Sequence, residues 1–383
     1  MSAIVVLCAL AWAGCIYTLL AVHAARRIMA QPVALARATP PVTLLKPLHG
    51  LEPGLLDNLS SFAAQDYAGP VRIICGVAQA DDPAIAVVER LREAYPQAAI
   101  RLVVDDRQHG ANRKISNLLN MDEGEDGEIV VLADSDIRVE RDYLARLVGA
   151  LDAPGVGAVS CLYRGRPEPG PWAALSALGI DAHFLPNAAL GIAFGLATPC
   201  FGSTIALRRE TLSRIGGFAV LRDQLADDYA LGAAVRASGL SVAFPPMLVD
   251  HICVDAGIDQ LWRHELRWAR TIRILNRAGH AGSVVTHPVA LALIATVISG
   301  FSPLAVWTLA AALGCRAVAL GVWRRVFGLR RSPFWLLPVR DCLSFAVFVW
   351  SFASRSVRWK GRRYDVAVDG AIRRRDDDGA RRA

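Results

Sequence analysis

No Cys-x-x-Cys pair occurs in the 383 residues, and the eight cysteines stand singly. Zinc ribbons and thiol–disulfide active sites need paired cysteines at that spacing, so neither is supported; reduced, mostly buried thiols are expected instead. No basic residue precedes the first apolar run, residues 4–22, whereas a secretory leader carries its positive charge there. That run is long enough to span a hydrocarbon core and is followed directly by Arg26 and Arg27, so a retained anchor is expected. A single basic face is also missing. The net charge of +7, with a pI near 9.2, sits in clusters that border apolar segments, which favours adhesion to anionic lipid head groups over nucleic-acid binding.

What the chain has in excess is apolar residues: 54% are hydrophobic and the mean hydropathy is +0.34, high for a soluble protein. A second apolar block, residues 288–323, is broken at Gly300-Phe-Ser-Pro303, where a tight reversal between two helices is expected. A third, residues 334–352, carries Pro338, Arg340 and Asp341. Ionisable groups at membrane depth are expensive, so this segment is expected to lie at the interface or re-enter rather than cross. Arg26, Arg27, Arg324, Arg325, Arg330, Arg331, Arg355, Arg358, Lys360, Arg362 and Arg363 all flank apolar segments. The positive-inside rule keeps them cytoplasmic if the N-terminus lies outside and the order is one span, a cytoplasmic domain, a two-span hairpin and a non-crossing segment. The expected divisions are an anchor (1–30), a cytoplasmic catalytic domain with an interfacial helix (31–285), membrane segments (286–354) and a basic tail (355–383).

Within the middle region, apolar strands at 42–45, 71–77, 100–104 and 129–133 alternate with helical periods at 55–64 and 84–94. That alternation predicts an α/β fold with a doubly wound, mostly parallel sheet. Asp82 before Pro83 has the form of a helix start, with Asp as the cap. Residues 156–162 read as another strand, 165–171 as a loop, and 204–207 as a strand after the turn-rich 198–203; residues 172–194 are apolar and contain Asp181 and His183. Ligands of such sheets bind beyond the carboxyl ends of the strands, where Lys46, Asp81, Asp82, Asp134 and Asp136 all fall. Asp134 and Asp136, at the end of the buried strand Ile129-Val-Val-Leu-Ala, have the spacing to share a divalent cation against a diphosphate. Asp227 and Asp228 open a helix: one reading is a cap, the other a base facing an acceptor. The amphipathic basic stretch 258–275 reads either as a membrane-surface helix or as one that closes Arg267 and Trp268 over a diphosphate.

Several segments together carry a family resemblance: Leu44-Leu-Lys-Pro-Leu-His-Gly50, Asn58-Leu, Gln65-Asp-Tyr67, Asp81-Asp-Pro-Ala-Ile85, Asn112-Arg-Lys-Ile-Ser-Asn117, Asp134-Ser-Asp136 and Arg358-Trp-Lys-Gly-Arg-Arg-Tyr364. The chain resembles the inverting glycosyltransferases of the GT-A fold, within them the ceramide glucosyltransferase family and above all its bacterial relatives that glycosylate hopanoids. The resemblance implies a UDP-sugar donor and a membrane lipid acceptor. It places Asp82, with Asp81 beside it, at the uracil, Lys114 near the diphosphate, and Asp134 and Asp136 around Mg or Mn. Asp228 is implied as the general base, and Arg267 and Trp268 as the end of a motif whose first position, Gln or Arg in the family, is His264 here. His183 falls where the family has a histidine near the acceptor. The implied reaction is transfer of N-acetylglucosamine from UDP-N-acetylglucosamine to bacteriohopanetetrol at a bacterial inner membrane, with the catalytic domain facing the cytoplasm. Glucosylation of ceramide from UDP-glucose is the alternative. A metal-dependent nucleotidyltransferase would share the sheet and the acidic site without needing Asp228 or Arg267-Trp268. A non-catalytic nucleotide-sugar receptor is the third possibility.

Overall fold

The computed structural model describes residues 2–329 and 334–353, and the backbone of 356–359, 362–366 and 372–374. Arg330, Arg331, Arg355, Lys360 and most of the basic tail lie outside the described residues.

Helix α1 (Ser2–Met29) leads into alternating strands and helices: β1 (Val42–Pro47), α2 (Leu55–Ala63), β2 (Val71–Val77), α3 (Ala84–Ala94), β3 (Ala99–Val104), α4 (Arg113–Asp122), β4 (Ile129–Ala133), the two-residue β5 (Ile137–Arg138) and α5 (Tyr143–Leu151). Then come β6 (Val156–Ser160), β7 (Leu162–Pro167), α6 (Pro171–Gly179), a π-helical turn (Ile180–Phe184), α7 (Leu185–Ala193), β8 (Thr204–Arg208), α8 (Arg209–Arg214), α9 (Asp227–Ala237), β9 (Ser241–Ala243) and β10 (Leu248–Cys253). Helices α10 (Ile258–Leu275), α11 (Arg277–Gly282), α12 (Pro288–Ile298), α13 (Pro303–Val326) and α14 (Leu336–Ser351) complete the body, with the short strands Ser356–Trp359, Arg362–Val366 and Ile372–Arg374 beyond.

The main sheet has seven strands in the order β3-β2-β1-β4-β8-β6-β9. Strand β8 runs antiparallel to both β4 and β6, and every other pairing is parallel, so one strand is reversed in a mostly parallel sheet. Because side chains alternate along a strand, Leu44, Ile73 and Val131 enter one core with Leu59, Phe62, Leu91 and Leu147. Leu45, Ile74 and Val130 enter the other with Ile115, Leu118, Leu231 and Val235. Helices on both faces are the reason β4 is buried along its whole length.

Two segments depart from the sequence expectation. Residues 156–162 are not one strand: β6 stays in the main sheet, while β7 pairs with β10 in a second sheet of order β5-β10-β7. Residues 165–167, expected in a loop, are part of β7, and Gly165 is required there because a Cβ would stand 2.5 Å from Ala177 Cα. Glycine and proline marked this stretch as a turn, whereas close approach of α6 is the actual reason for the glycine.

Helices α1 and α13 are long and apolar enough to cross a membrane. The expected two-span hairpin is asymmetric. Helix α12 has 11 residues, about 16 Å of rise, and joins Arg277–Thr286 across a 67° bend, so that pair is a broken span or a re-entrant loop. The reversal falls where expected, with both Gly300 and Phe301 at positive φ. Val5, Val6, Trp12, Ile16 and Leu19 of α1 and Trp307 and Val318 of α13 are exposed, an outward apolar surface suited to lipid. The charges of the third segment are internal: Arg316 of α13 donates through Nε and Nη2 to Asp341 of α14 at 2.9 and 2.7 Å, and both side chains of this pair are buried.

Helix α1 approaches the bent segment so closely that a Cβ on Gly14 would lie 2.3 Å from the Val285 carbonyl oxygen, whereas one on Gly321 of α13 meets open space. Gly321→Ala is therefore expected to be neutral or to stabilise by up to about 1 kcal/mol through helix propensity. Gly14→Ala, the same chemical change, is expected to lower the thermal midpoint of the detergent-solubilised protein; equal midpoints for the two variants would contradict this packing.

Candidate active site

The site begins at the turn that ends β4. Each carbonyl of Asp134-Ser-Asp136 is held: Lys46 Nζ donates to Asp134 O at 2.6 Å, Asn58 Nδ2 to Ser135 O at 3.1 Å, and Ile252 N to Asp136 O at 2.8 Å. Lys46 is fully buried and lies 3.9 Å over the Phe62 ring. Burial lowers its pKa to about 8, against the upward pull of Asp134 and Asp136. The turn's backbone is thereby fixed, and its two carboxylates project into the crevice.

Asp134 Oδ1 accepts from Lys114 Nζ at 2.6 Å, and Asp227 Oδ2 lies 3.5 Å from the same ammonium. Lys114 reaches this point because Asn112 caps α4, its Oδ1 accepting from Lys114 N and Ile115 N, while Asn112 Nδ2 donates to Gln224 O at 2.9 Å. Burial acts to lower the Lys114 pKa, but Asp134, Asp227 and Asp228 outweigh it and raise it.

Of the two readings of Asp227 and Asp228, the structure bears on the cap. Neither side chain caps α9 in the ordinary sense: Asp227 is the first helical residue and turns toward Lys114. Asp228 Oδ2 accepts from Gly202 N at 2.9 Å and Oδ1 from Tyr229 N at 2.7 Å. A Cβ on Gly202 would stand 3.3 Å from Asp228 Oδ2 and 3.5 Å from Lys114 Nζ, so this loop passes between base candidate and cation. Burial, then Asp227, pushes the Asp228 pKa up to about 6, with Lys114 and the two backbone donors limiting the rise.

Arg267 faces the same carboxylates from α10. Burial pulls its pKa down, and Asp134, Asp136, Asp228 and Asp227 pull it up. A cleft of about 260 Å³ runs from Asp136 and His251 along Asp255 to Gln260, His264 and Arg267. Trp268 lies against His264 at 4.1 Å and edge-on to His251 at 6.2 Å. His264, the departing position of the motif, has its Nδ1 3.8 Å from Asp255.

Other predicted residues sit further out. Asp82 caps α3 as expected, accepting from Ala84 N at 2.9 Å and from Gly50 N at 3.0 and 3.1 Å, while its neighbour Asp81 is exposed. His183 is not joined to the acidic crevice: it sits in the π-helical turn, its Nε2 3.1 Å from Thr286 Oγ1 and its ring stacked on His287. Burial takes its pKa down to about 3, so it is neutral.

One residue the sequence reading missed is His251. Its Nδ1 is 3.6 Å from Asp136 Oδ2, because β5 pairs Ile137 with His251 directly after the turn. Nothing in the local sequence around His251 signals this, since the pairing joins segments more than a hundred positions apart. Asp136 Oδ1 is buried without a hydrogen-bond partner, which a bound cation would satisfy. Among the described residues no group of three or more His, Cys, Asp or Glu is placed to hold a metal ion by itself. Two carboxylates with a histidine beside them suit a metal that completes its shell with phosphate oxygens and water.

A mostly parallel sheet with helices on both faces and acidic groups at its strand ends defines a GT-A-type fold, and solved structures share it. The mannosyltransferase PcManGT of Pyrobaculum calidifontis, solved with GDP-Man and Mn2+, aligns over 91% of this chain and 99% of that one, with a TM-score of 0.54 at 24% identity. The chain belongs to glycosyl transferase family 21, whose model matches residues 6–372. Curated relatives include a ceramide glucosyltransferase of Gibberella zeae, 29% identical over 169 residues (39% of this chain, 32% of that protein). An N-acetylglucosaminyltransferase of Azorhizobium caulinodans is 24% identical over 228 residues (57% of this chain, 55% of that protein). The chain thus spans about a third to a half of the length of these relatives.

Removing the Lys114 ammonium leaves Asp134, Asp227 and Asp228 facing one another. Lys114→Ala is expected to destabilise by on the order of 1–3 kcal/mol at pH 8 without divalent cation. The loss shrinks toward pH 5, because Asp228, its folded-state pKa raised to about 6 even with Lys114 opposing the rise, favours the native state when protonated and opposes it as pH rises. Thermal melts across that range check the slope; a deficit that grows on acidification would contradict it.

Proposed function

We propose that this protein is a membrane-bound inverting glycosyltransferase that moves a sugar from a UDP-sugar to a lipid hydroxyl. The observation that carries this reading is the meeting in one crevice of Asp228, held by Gly202 N and Tyr229 N, with the Asp134–Asp136 turn and the Lys114 ammonium that Asp134 binds. A single displacement needs a base on the acceptor side and positive charge on the leaving-group side.

Asp228, its pKa raised to about 6, takes the proton of the acceptor hydroxyl as that oxygen attacks the anomeric carbon and the bond to the diphosphate breaks. Gly202 N–H and Tyr229 N–H hold the carboxylate's orientation while leaving lone pairs free for that proton. Arg267 and Lys114 bind the departing diphosphate, and Trp268 excludes water from it. Asp134 and Asp136, with His251 beside them, would hold a divalent cation, Mg or Mn, which would supply positive charge to the diphosphate. Asp82 and exposed Asp81 mark the uracil side. His183, neutral and hydrogen-bonded to Thr286, lies toward the membrane bundle and serves the acceptor.

N-acetylglucosamine transfer to bacteriohopanetetrol is the preferred pair, its sugar supported by the bacterial N-acetylglucosaminyltransferase among the relatives; glucosylation of ceramide is the second reading, supported by the ceramide glucosyltransferases. Retention of base, diphosphate cations and acidic turn together argues for catalysis over a receptor or a nucleotidyltransferase. In the proposed setting the catalytic domain faces the cytoplasm of a bacterial inner membrane, anchored by α1 and α13.

The test is to incubate purified protein with UDP-glucose or UDP-N-acetylglucosamine against each lipid and read products by mass. One sugar–lipid product is expected, with kcat/KM rising through about pH 6 as Asp228 ionises. Asp228→Asn is expected to lower turnover by a factor of about 100 or more while UDP still binds. Transfer to neither lipid, or normal turnover by the variant, would overturn the assignment.

A further inference from the structure

Helix α10 has two working faces. Arg267 and His264 lie one turn apart and line the crevice, while Glu265 stands two positions from Arg267 and so on the far side of the helix from it. That far side is packed on the membrane bundle. Leu261 is fully buried with Leu175, Leu178, Leu320 and Leu337, and Trp262 meets Trp350 edge-on at 6.4 Å. The polar centre of this interface is Glu265, whose two oxygens accept from Nη1 and Nη2 of Arg340 on α14.

Arg340 is 3% exposed, and its remaining donors are taken by Ser344 Oγ and Leu175 O. The space it fills depends on Gly179, where a Cβ would stand 2.7 Å from the guanidinium carbon. The next residue, Asp341, binds Arg316 of α13, and Arg316 Nη2 also donates to Ala182 O in the π-helical turn at 2.9 Å. Two consecutive residues of α14 therefore tie three things together: the site-bearing helix, a candidate membrane span and the turn that carries His183. A fork-to-fork guanidinium–carboxylate pair fixes both distance and rotation, which a packed leucine would not.

We propose that Arg340 and Glu265 are positioning residues that set the rotation of α10, and through it the placement of Arg267 and Trp268 over the Asp134–Asp136 turn. The membrane bundle is then part of the donor site, not only its anchor. This rests on the reading of the crevice as a UDP-sugar site.

The test is a double-mutant cycle on UDP affinity in the presence of Mn2+, using full-length protein in detergent. Glu265→Gln keeps the shape and leaves the pair weakened. It is expected to loosen UDP binding about tenfold when Arg267 is present and less than twofold in an Arg267→Ala background, because the clasp acts through Arg267. A purely structural role would reduce affinity equally in both backgrounds, and that result overturns the proposal. So does an unchanged affinity for Glu265→Gln alone. Should that variant not fold, Glu265→Leu/Arg340→Met removes the clasp without leaving an unpaired buried charge, and the same two comparisons apply. If the wild-type protein binds no UDP, the donor reading itself falls and this inference with it; UDP binding by wild type with an additive cycle sinks the inference alone.

Discussion

The backbone of one turn is the constraint on which the rest depends. Asp134-Ser-Asp136 leaves a strand buried on both faces, so its carbonyls cannot rely on water, and three separate donors from β1, α2 and β10 satisfy them. The donor from β1 is the ammonium of Lys46, buried against the Asp134 carbonyl and the face of the Phe62 ring. Fixing the backbone in this way frees the side chains. Asp134 answers to Lys114, and Asp136 keeps one oxygen unspent.

Around that turn the electrostatics are a balance. Four carboxylates, Asp134, Asp136, Asp227 and Asp228, occupy one crevice with Lys114 and Arg267 as the facing cations. Burial, and after it the like charge of Asp227, raises the pKa of Asp228, with Lys114 acting against both. A diphosphate entering with a divalent cation would bring a compensated charge into a site already poised between signs. The carboxylates differ in environment: Asp134 is ion-paired to Lys114, and Asp228 is held by the backbone donors Gly202 N and Tyr229 N.

Much of this was legible in the sequence, and the rest was not for identifiable reasons. Strands β1 to β4, the cap at Asp82 and the acidic turn are local patterns, each carried by a few consecutive residues. Asp228 and Arg267 needed the family resemblance, since a second acidic pair and a basic helix both have commonplace explanations. His251 was invisible because its relation to Asp136 is made by strand pairing across distant positions. Residues 165–167 were misread because glycine there answers to a neighbouring helix instead of a turn. Arg340 and Asp341 were recognised as costly at membrane depth, but the sequence could not name Glu265 and Arg316 as their partners.

The central claim is that the crevice is a metal-assisted site for a nucleoside diphosphate. Isothermal titration of UDP into the detergent-purified protein, first with Mn2+ and then with excess EDTA, addresses it most directly. The account predicts saturable binding with the cation and an affinity about tenfold or more weaker without it, in the range seen when metal-site contacts are lost. Equal affinity in both conditions would contradict it.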